Sequence, residues 1–284
     1  MHVPCGWIVG FGLLVVPLSG VAASQARAQF EFPNPRHWEE FVAKLESVLQ
    51  GSDPAALARF EPEARRALAG LREFPGSEEY VAWLQERIDY ISMAKYLDGA
   101  VPEELPPPPQ SANQRIPHYE AWLQRLRTRP QPDGAEKYVV TLRRWFVAAG
   151  VPPELVWLAE VESAFDPFAL SPAGARGLYQ LMPDTARELG LSTTLPDERI
   201  DPQKSAEAAA RRLGALYRRF GDWPLALAAY NAGAGYVQRT LKEKDARTFA
   251  EIAPALPLET RMYVPKVLAV LQVRAGVTLV DGRR

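Results

Sequence analysis

The sequence predicts an all-α (mainly α) protein, and three observations carry that expectation. Past residue 30, apolar residues recur three and four apart, the spacing that gathers them on one face of a helix. No run alternates apolar and polar residues with the β-branched enrichment of a half-buried strand. Helix-stopping and helix-starting residues divide the chain at Gly51, Asp53-Pro54, Pro75-Gly76-Ser77 and Gly150-Val151-Pro152-Pro153.

Taken in order, the first element is not part of the fold. Trp7 to Leu18 is an apolar run of signal-peptide length, short for a membrane span. Small residues follow at Val21-Ala22-Ala23 and Ala26-Arg27-Ala28, so cleavage is expected after Ala23 or Ala28. The segment before the run holds His2 but no Lys or Arg, and a retained membrane anchor is the alternative. Export to the periplasm or cell envelope is the expectation. Residues 1–28 are assigned to this signal. Cys5, the only cysteine, precedes the run, so the mature chain would hold none, which excludes disulfides, thiol nucleophiles and cysteine metal sites.

A first helix is expected from Trp38 to Gln50, with Trp38, Phe41, Val42, Leu45 and Leu49 on one face and Gly51 ending it. Asp53 reads as an N-cap with Pro54 at the first helical position, opening a helix to about Phe74. Ser77 is the expected cap of a third helix to about Leu97, where Tyr80, Trp83, Leu84, Ile88 and Ile91 form the apolar stripe. Pro102 to Pro109 contains four consecutive prolines and reads as a stiff linker or a covering strap. Helices from Pro117 to Thr128 and from Asp133 to Ala149 follow. Residues 29–130 are therefore a helical N-terminal region carrying no motif, and residues 131–284 are the segment that carries chemistry.

Charge and histidine content narrow the function. Lys plus Arg number 33 against 34 Asp plus Glu, a net charge of −1, which argues against general nucleic-acid binding. His2, His37 and His118 are scattered without metal-ligand spacing. No metal or other cofactor is expected.

The segment Glu154 to Ser163 (ELVWLAEVES) is apolar on most sides and reads as a buried helix. Leu155, Leu158, Ala159 and Glu162 share one face at 100° per residue, which sets Glu162 among apolar neighbours. Burial there penalises the carboxylate and raises its pKa, as a general acid near neutral pH requires. The helix alone leaves a second reading open, a structural Glu satisfied by backbone or Arg contacts. Glu160 points elsewhere and reads as a helix-surface residue. The next stretch, FDPFALSPAGARGLYQLMPDTARELGL, is a loop followed by a short helix from Pro183 to about Gly190. Its small residues Ala173, Gly174, Ala175 and Gly177 would let backbone approach a ligand, and Gln180 offers both a donor and an acceptor to a sugar.

One continuous string and three further boxes, in order, carry a resemblance. Glu162-Ser163 is followed by Ser171-Pro172-Ala173-Gly174-Ala175 and then by Gly177-Leu178-Tyr179-Gln180-Leu181-Met182-Pro183. Asp197 to Pro202 precedes a long helix to Phe220, Ala229-Tyr230-Asn231-Ala232-Gly233 follows it, and Glu259-Thr260-Arg261-Met262-Tyr263-Val264 comes last. Over roughly residues 135–275 this pattern resembles the lytic transglycosylases with a soluble-transglycosylase (SLT) type catalytic domain. The run FGDWPLALAAYNAG is similar to their membrane-bound lytic murein transglycosylase D subgroup.

The resemblance implies a lysozyme-like (goose-type) catalytic domain with a saccharide groove, acting on peptidoglycan glycan strands. It implies cleavage of the MurNAc-β-1,4-GlcNAc bond without water, leaving 1,6-anhydromuramoyl ends. Carried over by position, Glu162 is the catalytic acid and then base. Ser171, Gln180, Met182, Tyr230 and Asn231 would line the groove around it, with Tyr230 donating to the carboxylate or to an N-acetyl group. Ser163 and Glu259 would hold that arrangement, Glu259 alternatively being the structural partner of an Arg. Tyr179 stands where relatives often carry Met or Trp and is expected to wall the groove, plain packing being the alternative. The resemblance names no protein partner in the wall or membrane. Two other functions stay in view. A hydrolytic muramidase would need a water-activating group such as Asp166 or Asp201, and a non-catalytic peptidoglycan-binding protein would need none.

Overall fold

The computed structural model describes residues 35–99 and 116–279, which form one compact unit. The expected signal and the proline-rich stretch 102–109 lie outside the described residues. Within them every named element is a helix, and two isolated antiparallel bridges, Leu170–Arg176 and Arg176–Leu181, are the only extended pairing. The all-α expectation holds.

The fold is organised around its last helix, α13 (Leu258–Ala275), whose residues from Met262 to Leu271 are all buried. A helix apolar on every side must be covered on every side. Here α5 (Tyr119–Arg127), α7 (Leu158–Ser163) and α10 (Trp223–Ala232) do most of the covering, joined by α1 (Pro35–Leu49). Helix α10, also uniformly apolar, packs in turn on α9 (Pro202–Phe220) and α11 (Ala234–Glu243). Caps set these boundaries as local chemistry dictates. Asp201 accepts from the Gln203 and Lys204 amides ahead of α9, and Asp222 accepts from the Leu225 amide ahead of α10.

The N-terminal helices are built into this body. Asp53 caps α2 (Pro54–Ala58) through the Ala55 amide, as expected. The single helix expected from Pro54 to Phe74 is instead broken at Arg59–Phe60 and restarts as α3 (Glu61–Glu73). Pro62 is the reason: without an N–H it cannot continue a helix but fits well in the first turn of a new one. Ser77 does not cap a helix. Its hydroxyl donates to the Leu71 and Phe74 carbonyls, and a 3-10 turn, Glu78–Tyr80, leads into α4 (Val81–Gly99). α4 packs on α2, α3 and α7. Two backbone bonds tie the region to the rest: the Leu258 amide donates to the Gly51 carbonyl at 2.9 Å, and the Leu170 amide to the Glu79 carbonyl at 2.7 Å.

Charge is buried where α4, α5 and α13 meet. Asp89 on α4 takes Arg129 at 2.5 and 2.7 Å and the buried Lys266 of α13 at 3.1 Å. The Lys266 ammonium also sits over the rings of Tyr90 and Trp122, at 5.1 and 5.5 Å. Burial alone would raise the Asp89 carboxyl, but Lys266 and Arg129 outweigh it and hold the group well below the usual carboxylate range. A depressed folded-state pKa contributes stability that is present above the unfolded value of about 4 and lost as pH falls toward the folded one. Asp89→Asn is therefore expected to melt lower than wild type at neutral pH and to lose less stability between about pH 4 and pH 2. Thermal melts across that range check it, and parallel curves would remove Asp89 from the acid transition.

Candidate active site

The single helix expected from Glu154 to Ser163 is divided, its first half taking the tighter 3-10 form. A 3-10 turn, Pro153–Trp157, runs into α7, and Ala164 and Phe165 end that helix in left-handed conformation (φ 51° and 64°). Such angles are costly for residues with a Cβ and are held here by packing. The Phe165 ring stacks on Tyr138 and meets Trp157 edge-on, with centroids 6.2 and 5.6 Å apart. The sharp stop leaves Glu162 in the last turn, facing a cleft of about 220 Å³.

The cleft is lined by Glu162, Ser171, Ala173, Ala175, Gln180, Met182, Tyr230, Asn231 and Glu259 from the boxed segment. It is also lined by Tyr263, by Trp83, Glu86 and Arg87 of α4, and by Glu46 of α1. Tyr263 donates its hydroxyl to Glu162 Oε1 at 2.5 Å. Burial first, and then the nearby Glu86, push the Glu162 carboxyl well above the carboxylate range; the Tyr263 hydrogen bond and Arg87 pull the other way and lose. The protonated form of Glu162 is thus favoured.

The loop opposite is held rigid. The Ser171 hydroxyl accepts from the Ala175 amide at 2.9 Å. The Gln180 amide nitrogen donates to the Ala169 and Gly177 carbonyls, so that side of the group is spent on the loop, and its backbone is left-handed (φ 43°). Arg199, buried and paired with Asp197, donates to the Gly174 and Leu181 carbonyls at 2.7 and 3.0 Å. Gly177 does not admit a ligand to the backbone. Its α-carbon instead lies against the Arg199 carbonyl, where a Cβ would fall 2.0 Å from that oxygen.

The remaining expected residues divide between the cleft and the packing behind it. Tyr179 does not wall the cleft: its side chain is fully buried behind it, donating to the Val156 carbonyl and packing on Phe146. Ser163 is buried too and donates to the Leu178 carbonyl at 2.9 Å, bracing α7 against the loop. Tyr230 lines the cleft, but its hydroxyl goes to the Tyr179 carbonyl at 2.8 Å and not to Glu162. Glu259 is the partner of an arginine, accepting from Arg87 at 2.9 Å, while Asn231 bridges it to Thr260 at 3.5 and 2.7 Å. Glu160 is not a surface residue; it is buried in a two-point pair with Arg274. Asp166 and Asp201 serve as turn and helix caps and line no part of the cleft.

Tyr263 was given no role from the sequence, although it stands in the last matched box and its position on the helix pointed to it. It lies four residues after Glu259 on a helix, hence on the same face. Glu46, Trp83, Glu86 and Arg87 had no such signal.

The site is thus a half-buried carboxyl in the last turn of a helix, facing a loop of hydrogen-bonding groups. Residues 146–253 match the family described as Transglycosylase SLT domain. The chain is similar to membrane-bound lytic murein transglycosylase D of Escherichia coli (strain K12), 43% identical over 139 residues, which are 48% of this chain and 31% of that protein. It is also similar to soluble lytic murein transglycosylase of Salmonella typhimurium, 38% identical over 122 residues, 39% of this chain and 19% of that one. The chain thus spans less than a third of either relative. Among solved structures, an inactive mutant of lytic transglycosylase Slt from Pseudomonas aeruginosa aligns over 92% of this chain and 42% of its own, at 24% identity and a TM-score of 0.45.

Proposed function

We propose that the chain is an exported enzyme of the cell envelope, a lytic transglycosylase with a lysozyme-like catalytic domain acting on peptidoglycan glycan strands. The supporting observation is the pairing of carboxyls in the cleft. Glu46, Glu86 and Glu259 share the Arg87 guanidinium, whereas Glu162 faces a tyrosine hydroxyl and is driven toward its protonated form. Glu162 gives its proton to the glycosidic oxygen as the C1–O bond to N-acetylglucosamine breaks. It then takes the proton of the muramoyl C6 hydroxyl as that oxygen bonds to C1, closing a 1,6-anhydro ring. The acetamido oxygen of the sugar stabilises the positive centre, so the protein needs only one working carboxyl, and the intramolecular attack gains from proximity. The reaction calls for no metal.

One observation favours a hydrolytic reading. Glu46 lines the same cleft, a third exposed, and burial pushes its carboxyl up to about 7, which suits a base that activates water. Product mass separates the two. Purified peptidoglycan digested with a chelator present is expected to give anhydromuramoyl fragments, one water lighter than hydrolytic ones. Reducing muramoyl ends as the main product would make Glu46 or another group a water-activating base and overturn the transglycosylase reading.

A further inference from the structure

Glu86 and Arg87 lie on α4, outside the matched segment, yet both line the cleft that holds Glu162. Their helix packs directly on α7. Glu86 accepts from Arg87 Nη1 at 2.8 Å and from the Tyr90 hydroxyl one helical turn later. The other end of the same guanidinium donates to Glu259 at 2.9 Å and lies 3.7 Å from Glu46. Four carboxyls therefore share this cleft with one guanidinium, which reaches three of them; burial raises Glu86 as well as Glu162, but only Glu86 has Arg87 in contact, with Lys266 and the Tyr90 hydroxyl also favouring its charged form. When neighbouring buried carboxyls compete, the group beside a cation keeps the charge and the group without one keeps the proton.

We propose that the Glu86–Arg87 pair of α4 is a positioning element for Glu162, a carboxyl held by its counter-cation that competes with Glu162 for the proton of the cleft when substrate arrives. This inference rests on Glu162 being the acid of the proposed reaction. The groups facing Glu162 are Glu86 and Arg87 from α4, Glu259 and Tyr263 from α13, and Tyr230 from α10, with Glu46 of α1 reaching Arg87 from the far side. Glu86 and Glu259 favour the protonated acid; Arg87 and the Tyr263 hydroxyl oppose it.

The test is the pH profile of peptidoglycan solubilisation by the full chain. Protonated Glu162 is the working form, so activity is lost as pH rises through its pKa. Glu86→Gln keeps the size and an acceptor oxygen but removes the anion, which lowers the Glu162 pKa. The alkaline limb is expected to move to lower pH by about one unit. Tyr90→Phe removes only the hydroxyl that Glu86 accepts from, at a residue that does not line the cleft. Glu86 then holds its charge less firmly, and the limb is expected to move the same way by less. This second chain carries the test if Glu86→Gln does not fold. A lower rate with an unmoved limb in both, or a limb moving to higher pH, would overturn the proposal and leave α4 a structural wall. Glu162→Gln run alongside separates the two readings. If it is inactive while the limbs stay fixed, only the positioning role falls; if it is as active as wild type, the acid assignment falls and the positioning role with it.

Discussion

Glu162→Gln is expected to lower the rate of peptidoglycan cleavage by about a hundredfold or more, the usual loss on removing a general acid/base. Gln fills the same volume and still accepts from the Tyr263 hydroxyl, so the geometry of the last turn of α7 survives. What it lacks is the proton. The same substitution should not cost stability. Burial and Glu86 already disfavour the charged form of Glu162, and a neutral amide avoids that penalty. The variant should melt at or slightly above the wild-type temperature at neutral pH while failing on substrate. Rates on purified peptidoglycan, taken beside thermal melts, check both halves. A folded variant with near-normal activity would falsify the assignment of Glu162.

Gly177→Ala should be the most damaging single-atom change in the loop. Gly177 has φ +81°, and a Cβ would stand 2.0 Å from the Arg199 carbonyl oxygen and 2.9 Å from its carbon. That oxygen cannot retreat easily, because the Arg199 side chain is fastened to Asp197, Gly174 and Leu181. A left-handed alanine costs about 1–2 kcal/mol and overpacking about 1–3 kcal/mol. The sum, about 4 kcal/mol, corresponds to a fall of about 10 °C in a chain of this size. Gly174→Ala is the control. It shares the positive φ, +86°, but its Cβ would meet only Pro183 Cγ at an ordinary 3.9 Å, so only the backbone cost remains. Equal melting temperatures for the two variants would remove the Arg199 contact as the cause.

The helical character and most helix ends were legible in the sequence because they depend on neighbours in the chain. Periodicity, Asp53 and the paired prolines act within a few residues. Glu162, Ser171, Gln180, Met182, Tyr230 and Asn231 could be gathered into one cleft because their boxes resemble a known pattern. What failed was the direction of hydroxyls. Tyr230, partly buried, and Tyr263, buried, both line the cleft with Glu162, and only the tertiary packing of their helices decides which one reaches it. Tyr179 failed similarly, since a ring can face a groove or the core behind it, and Phe146 stands on the core side. The α4 wall was illegible for a different reason. Arg87 and Glu259 are 172 residues apart, and nothing local marks one arginine among many as the partner of that glutamate. Glu160 and Arg274, 114 residues apart, were missed the same way.

The seam of the cleft also bears on transplantation. The segment that matches the family ends at residue 253, before Glu259 and Tyr263, and begins long after Glu46, Glu86 and Arg87. A chimera receiving only residues 146–253 would inherit Glu162 without the hydroxyl that touches it or the guanidinium that pairs with the neighbouring carboxyls. It would also sever the Leu170–Glu79 backbone bond that moors the loop. The smallest portable piece of this molecule therefore extends from α1 through α13, and shuffling with relatives can preserve function only where the donor brings its own version of both flanks.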